Sequence, residues 1–225
     1  MKHALILAAG LGQRMRPLTD VTPKPLLEVH GKPLIVHHIE KLVAAGVHYI
    51  VINTSHLAAQ FPEVLGDGAR WGVRIRYSYE GPTPLETGGG MLKALPLLGP
   101  EPFIVVSADI WSDIDYAALP AEPAGEAHLV MVPNPDFHPQ GDFALRDGRL
   151  YDDGAPAGAE RLTFGNVGVY RPGIVANEAP GAFKLAPMYR RAIAQGRLAG
   201  ERYDGFWRNV GTPAQLEQLR GEVKG

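Results

Sequence analysis

The chain has 225 residues and a formal net charge of −2, with 45% of its residues hydrophobic and 20% charged. That composition describes a globular protein long enough to bury a full core and excludes a disordered or fibrous chain. The near-zero net charge, the absence of a bilayer-length apolar run and the complete absence of cysteine argue against nucleic-acid or membrane partners, disulfides and thiolate chemistry.

Lys2 leads directly into an apolar run with no signal-peptide pattern, so the expected compartment is the cytoplasm. His3 to Ala9 is that run, of the length and continuity of a strand buried on both faces. From Pro33, Ile35, Ile39, Leu42 and Ala45 recur at helical spacing and stop at Gly46, and Tyr49 to Asn53 reads as a second strand. A short helix over Leu57 to Leu65, a turn at Gly66 to Gly68 and a strand from Val73 to Tyr79 repeat the pattern. A helix following Glu86-Thr-Gly-Gly-Gly90 is expected to end near Leu98, before a buried strand from Phe103 to Val106 that stops at Ser107, Ala108 and Asp109. Alternation of this kind predicts an α/β fold with a mostly parallel sheet and helices on both faces. Ligands of such sheets bind beyond the carboxyl ends of the strands.

Beyond residue 110 the signals are less regular. Ser112 to Leu119 reads as a helix, Pro and Gly are scattered from Pro120 to Gly158, and Asp147-Gly148 marks a hairpin joining Phe143 to Leu145 with Leu150 and Tyr151. Leu162 to Tyr170 reads as a strand and Leu185 to Gln195 as a helix. A last helix starts at Thr212, Pro213 and Gln215, with capping-box spacing. One domain is expected, with residues 1–110 forming a nucleotide-binding half and 111–225 an acceptor-binding half.

The first strand empties into Gly10 and Gly12, and glycine lets backbone N–H groups approach an anion closely. Met15 and Pro17 stand where a dinucleotide fingerprint needs a glycine opening a helix, and no Gly-Lys-Ser/Thr follows, so neither that motif nor a P-loop fits. Instead Pro17, Pro23 and Pro25 hold a long loop open and carry Arg14, Arg16 and Lys24 toward whatever the glycines cradle. This loop reads as a clamp for a nucleotide triphosphate. The histidines show no metal-ligand spacing, and the tryptophans read as packing residues.

Gly10 to Thr19 (G-x-G-x-R-M-x-P-L-T), Thr22 to Val29 and Gly31 to Pro33 resemble the signature of the sugar-1-phosphate nucleotidyltransferases. The resemblance continues through Glu86 to Gly90, Asp109, Gly141 to Phe143, Phe183 to Pro187 and Trp207 to Thr212. It implies a three-layer α/β/α Rossmann-like nucleotidyltransferase fold with a predominantly parallel mixed sheet. The short length, ETGGG and FKLAP look most like the branch that transfers UMP from UTP to N-acetylmuramic acid α-1-phosphate in cell-wall recycling. Other branches use glucose or mannose 1-phosphate or phosphocholine with a different NTP, and a non-catalytic nucleotide-sugar binding protein would keep the same fold.

By this resemblance Arg14 braces the leaving pyrophosphate and Lys24 neutralises the α-phosphate, while Ala9, Gly10, Gly12 and Gly88 bring backbone to the nucleotide. Asn53 lies on the same rim, and Glu86 shapes the loop beside the base. Asp109 is the leading ligand for Mg2+, since a carboxylate ending a buried strand is costly without a partner; a cap for the Ser112 to Leu119 helix is its alternative role. Many relatives place a second acidic ligand where this chain has Asn209, whose amide oxygen brings no charge, and Asp204 is a nearby substitute. Gly141, Asp142, Asn166 and Lys184 match positions that hold the acceptor. Lys184 can meet its phosphate or its lactyl carboxylate.

Overall fold

The structure is a computed structural model and describes residues 1–222. Its strands are β1 (His3–Leu7), β2 (Glu28–Val29), β3 (Lys32–Pro33), β4 (Tyr49–Thr54), β5 (Arg74–Tyr79), β6 (Phe103–Ser107), β7 (Ile110–Ser112), β8 (Ala127–Val132), β9 (Phe143–Arg146), β10 (Arg149–Tyr151), β11 (Glu160–Tyr170), β12 (Leu198–Arg202) and β13 (Trp207–Asn209). Its helices are α1 (Leu34–Ala44), α2 (Gln60–Leu65), α3 (Glu86–Leu98), α4 (Ala186–Ala194) and α5 (Pro213–Glu222).

A nine-stranded sheet in the order β5-β4-β1-β6-β11-β8-β12-β10-β9 runs through both halves of the chain. Period-two alternation along β1 builds the layers. Ala4 and Ile6 face the cluster containing Ile35 and Ile39 of α1 and Phe61 of α2. Leu5, between them, joins Met91 and Ala94 of α3 and Met188 of α4 on the opposite face. The α/β/α layering and the mixed sheet agree with the expected fold. Three parallel pairings make up β5-β4-β1-β6, β11 then runs antiparallel to β6, and β8 with β12 forms a further parallel pair among antiparallel neighbours.

Several elements differ from the sequence reading. Ser112 to Leu119 is not a helix: β7 pairs with β13 as a separate ribbon, and Asp115 Oδ1 accepts the Ala117 N–H at 2.9 Å in a local turn. Asp109 therefore caps no helix. The glycines 88–90 lie inside α3 rather than in a loop before it. β8 and β12 were hidden among Pro and Gly signals. β8 is nevertheless a buried central strand, paired to β11 on one side and β12 on the other. The Asp147-Gly148 hairpin is as expected, with both residues at positive φ (50° and 75°), which a two-residue turn of this kind requires.

Candidate active site

The loop after β1 does not become a helix because its prolines interrupt it; it folds instead into three short 3-10 turns, Gln13–Met15, Leu18–Asp20 and Lys24–Leu26. Gly12, at φ 63°, opens the first turn, and its carbonyl accepts the Thr19 hydroxyl at 2.8 Å, which closes the loop on itself. A Cβ on Gly12 would sit 2.8 Å from Thr19 Cγ2, whereas one on Gly10 would meet nothing. Gly12 is thus required by the loop's fold. Gly10 leaves its surface open to a ligand.

This loop walls a cavity of about 740 Å³ at the carboxyl ends of β1, β4 and β6. Ala9, Gly10, Gly12, Arg14, Lys24, Asn53, Glu86 and Asp109 all line it. Lys24 Nζ lies 2.6 Å from Asp109 Oδ2, both side chains being largely shielded from solvent. Arg14 has no carboxylate partner among the described residues. Gly211 explains how its guanidinium fits, since a Cβ there would approach Arg14 Nη2 to 3.1 Å. Arg16 does not reach the cavity and pairs with Asp20 on the surface.

Asn53 is buried and has a task that sequence did not reveal. Its Oδ1 accepts the Ala8 N–H at 2.6 Å and its Nδ2 donates to Glu80 Oε1 at 2.6 Å, while Glu80 Oε2 accepts the Leu85 N–H at 2.6 Å. The chain of bonds ties the end of β1 to the start of α3 across the cavity floor. Burial pushes the Glu80 carboxyl up from its ordinary value, against the Leu85 N–H and the Asn53 amide, which favour its ionised form. No motif flagged Glu80; only its position in the fold does.

Gly88 lies off the cavity wall. Its N–H donates to the Phe183 carbonyl at 2.8 Å, and a Cβ there would collide with the Phe183 ring. Gly88 and Gly89 therefore admit the 181–185 segment to the helix start, Gly90 makes room for the Glu80–Asn53 pair, and Glu86 and Thr87 are the α3 residues that face the cavity. Glu86 adopts φ 61°, a strained value for a residue with a side chain, at the junction of both binding spaces.

A second cavity, about 470 Å³, adjoins the first and shares Leu7, Glu86, Thr87 and Ser107 with it. Asp142, Asn166, Lys184 and Asn209 line it. Gly141 does not; at φ 61° it forms the turn that delivers Asp142, whose Oδ2 accepts the Phe164 N–H at 2.8 Å and whose Oδ1 lies 3.2 Å from His138 Nε2. Asn166, at φ 57°, sits in the irregularity of β11 between Phe164 and Gly168. Lys184 has no ion-pair partner among the described residues. His138 and Arg190 also line this cavity and carried no signal in sequence.

The β7-β13 ribbon brings Asp109 and Asn209 together: Asn209 pairs with Ile110, and the Val210 N–H donates to the Asp109 carbonyl at 2.8 Å. Asn209 Oδ1 is buried without a hydrogen-bond partner among the described residues. Such an oxygen calls for a donor or a cation, and amide and carboxylate oxygens, which Asn209 and Asp109 carry, are the kind that a hard divalent ion takes. Asp204 does not contribute, since both its oxygens lie against Arg202 Nε, at 2.7 and 2.9 Å.

The nucleotidyl transferase family model matches residues 3–139. N-acetylmuramate alpha-1-phosphate uridylyltransferase of Neisseria meningitidis serogroup B is 47% identical over 228 residues, covering 96% of each chain. The protein of the same name from Caulobacter vibrioides is 39% identical over 227 residues, covering 94% of this chain and 93% of its own. The crystal structure of HddC from Yersinia pseudotuberculosis complexed with GMP-PN covers the whole of both chains with a TM-score of 0.79 at 19% identity, a likeness of fold. No helix among the described residues is long and apolar enough to cross a membrane. With a family model spanning more than half its length and relatives aligned along nearly all of it, this chain belongs to the nucleotidyl transferase family.

Proposed function

We propose that this protein transfers UMP from UTP to a sugar 1-phosphate, N-acetylmuramic acid α-1-phosphate foremost, releasing pyrophosphate. The observation that carries the reading is the pair of adjoining cavities, one walled by the glycine loop with Arg14 and Lys24, the other holding Lys184, Asp142 and Asn166. Two relatives with that name, similar along almost the whole chain, favour this acceptor.

An oxygen of the acceptor phosphate attacks the α-phosphorus of UTP, the bond from that phosphorus to the β-phosphate oxygen breaks, and pyrophosphate leaves with the electron pair. Both reactants are anions, so the protein's work is positioning and charge neutralisation rather than covalent catalysis. Lys24 meets the α-phosphate, Arg14 braces the departing pyrophosphate, and Lys184 holds the acceptor phosphate at the boundary between the cavities. Asp109 and Asn209 are the residues that would hold Mg2+. When bound, the ion would supply positive charge to the phosphates at the point of transfer. Lys24 and Asp109 neutralise each other at 2.6 Å, so a nucleotide phosphate reaching Lys24 exchanges one charge pairing for another.

The deciding experiment measures pyrophosphate release for each NTP against N-acetylmuramic acid, glucose and mannose 1-phosphates and phosphocholine. The expected result is turnover greatest with UTP and the muramic acid phosphate. Preference for another pair reassigns the substrates, and nucleotide binding without turnover across the panel would make this a non-catalytic binding protein.

A further inference from the structure

We infer that the acceptor cavity holds a second anion-binding point, Arg190, which selects acceptors carrying a carboxylate in addition to their phosphate. The inference rests on the acceptor-binding role proposed for this cavity and names the residue that sets its specificity.

Two cationic side chains line the cavity at separate places. Lys184 is fixed at the boundary with the nucleotide space because both its neighbours are fastened to the start of α3: the Gly88 N–H donates to the Phe183 carbonyl at 2.8 Å, and the Leu185 N–H donates to Thr87 Oγ1 at 3.0 Å. Thr87 lines both cavities, so a phosphate held by Lys184 lies where transfer must occur. Arg190 projects from α4 roughly 6 Å of helix rise beyond Ala186, toward the β10 side. A phosphate at Lys184 leaves the terminal nitrogens of Arg190 without an anion.

The orientation of Arg190 is already set. Its Nε donates to Asp152 Oδ2 at 2.9 Å, and neither Nη group has a hydrogen-bond partner among the described residues. Asp152 is itself placed at the end of β10, where its carbonyl accepts from Arg161 Nη1 at 3.0 Å. A guanidinium held through Nε keeps its terminal nitrogens for another planar anion, and a carboxylate matches that spacing with paired charge-assisted bonds. The Arg190–Asp152 pair is too exposed to hold much energy by itself, with the Arg190 side chain at 59% exposure. Its use is positional, since Asp152 sets the guanidinium before the acceptor arrives. The other ionisable groups lining the cavity are Glu86, His138, Asp142 and the hydroxyls of Tyr170 and Tyr189; Asp142 is already paired with His138, and the two tyrosine hydroxyls with each other. A sugar bearing only hydroxyls at the far end would leave Arg190 unmatched; a sugar with an ether-linked carboxylate there would pair with it.

The test compares N-acetylmuramic acid α-1-phosphate with N-acetylglucosamine α-1-phosphate, which has a hydroxyl in place of the carboxylate-bearing lactyl ether, using steady-state kinetics with saturating UTP. Arg190→Ala is expected to lower the ratio of kcat/KM between the two acceptors by roughly 10- to 100-fold, the loss of one charge-assisted contact, with the change residing in KM. Arg190→Lys, which keeps the charge but not the fork, should recover part of the ratio, and Asp152→Asn should raise KM for the carboxylate acceptor while kcat holds. Because Arg190 lies at the surface, an unchanged melting temperature separates these effects from misfolding. A ratio unmoved by Arg190→Ala, or an equal loss on both acceptors, would overturn the assignment while leaving uridylyl transfer intact. Absence of turnover of either acceptor by the wild-type protein would remove both.

Discussion

At the scale of the single residue, Asn209 offers the sharpest test of the proposed metal site. Its oxygen is buried and unmatched, and it stands beside Asp109 on a ribbon that fixes both main chains. Replacing it with aspartate adds a full charge to the donor set, and divalent affinity rises with ligand charge. Asn209→Asp should therefore lower the Mg2+ concentration for half-maximal activity by roughly tenfold. The same variant places two carboxylates close together, so without the ion its melting temperature should fall and Mg2+ should restore it. A half-saturating concentration that stays put or rises, with no ion-dependent recovery of stability, would exclude Asn209 as a ligand. Of the residues around this point, Arg14, Lys24 and Asp109 were legible in sequence because motif spacing and strand ends constrain them. Glu80 and Arg190 were not, because each matters through a neighbour distant in the chain: Asn53 for Glu80, Asp152 for Arg190.

At the scale of the element, α3 and α1 show how packing overrules local preference. An alanine inside a helix normally gains about 1 kcal/mol over glycine, yet a Cβ on Gly89 would run into the Gly181 carbonyl. Gly89→Ala should cost about 1–3 kcal/mol in chemical denaturation, as overpacking does, and it should raise KM for the acceptor by pushing the Lys184 segment off α3. A stabilised variant with unchanged kinetics would refute that packing role. In α1, His38 is 3% exposed, with its Nδ1 2.9 Å from the Tyr116 hydroxyl. Burial, reinforced by Lys41, pushes it down from 6.5 to about 4. Between those values the unfolded chain takes up a proton that the folded chain refuses, so stability falls as pH drops through this window, by on the order of 3 kcal/mol. Urea denaturation at pH 7 and pH 4.5 should show the loss, and His38→Gln should flatten it. An equally steep decline in that variant would assign the acid sensitivity elsewhere.

At the scale of the whole molecule, the two ends of the sequence cooperate in holding the nucleotide loop. Met15, Val29 and Leu34 form one fully buried cluster with Val210, Leu216 and Leu219, so α5 packs beneath the loop that carries Arg14. Leu216→Ala should lose about 2–5 kcal/mol of stability and raise KM for UTP, measured at a temperature where the variant stays folded. An unchanged KM despite the lost stability would separate α5 from the nucleotide site. α5 itself begins as expected, with Thr212 Oγ1 accepting the Gln215 N–H at 3.3 Å; Gln215 Oε1 reaches back to the Gly211 N–H at 2.8 Å, one residue earlier than the simple capping box. Sequence alone determined the α/β alternation, the glycine and proline loop, its cations and the strand-end aspartate, because each of these follows from backbone rules or periodicity acting within a few residues. Tertiary structure alone decided that β8 lies inside the sheet between β11 and β12, that Gly88 and Gly89 receive a neighbouring segment, and that two cavities meet at Leu7, Glu86, Thr87 and Ser107. Those features depend on contacts between segments far apart in the chain, and the free energy of such contacts comes from shape and burial that no local pattern encodes.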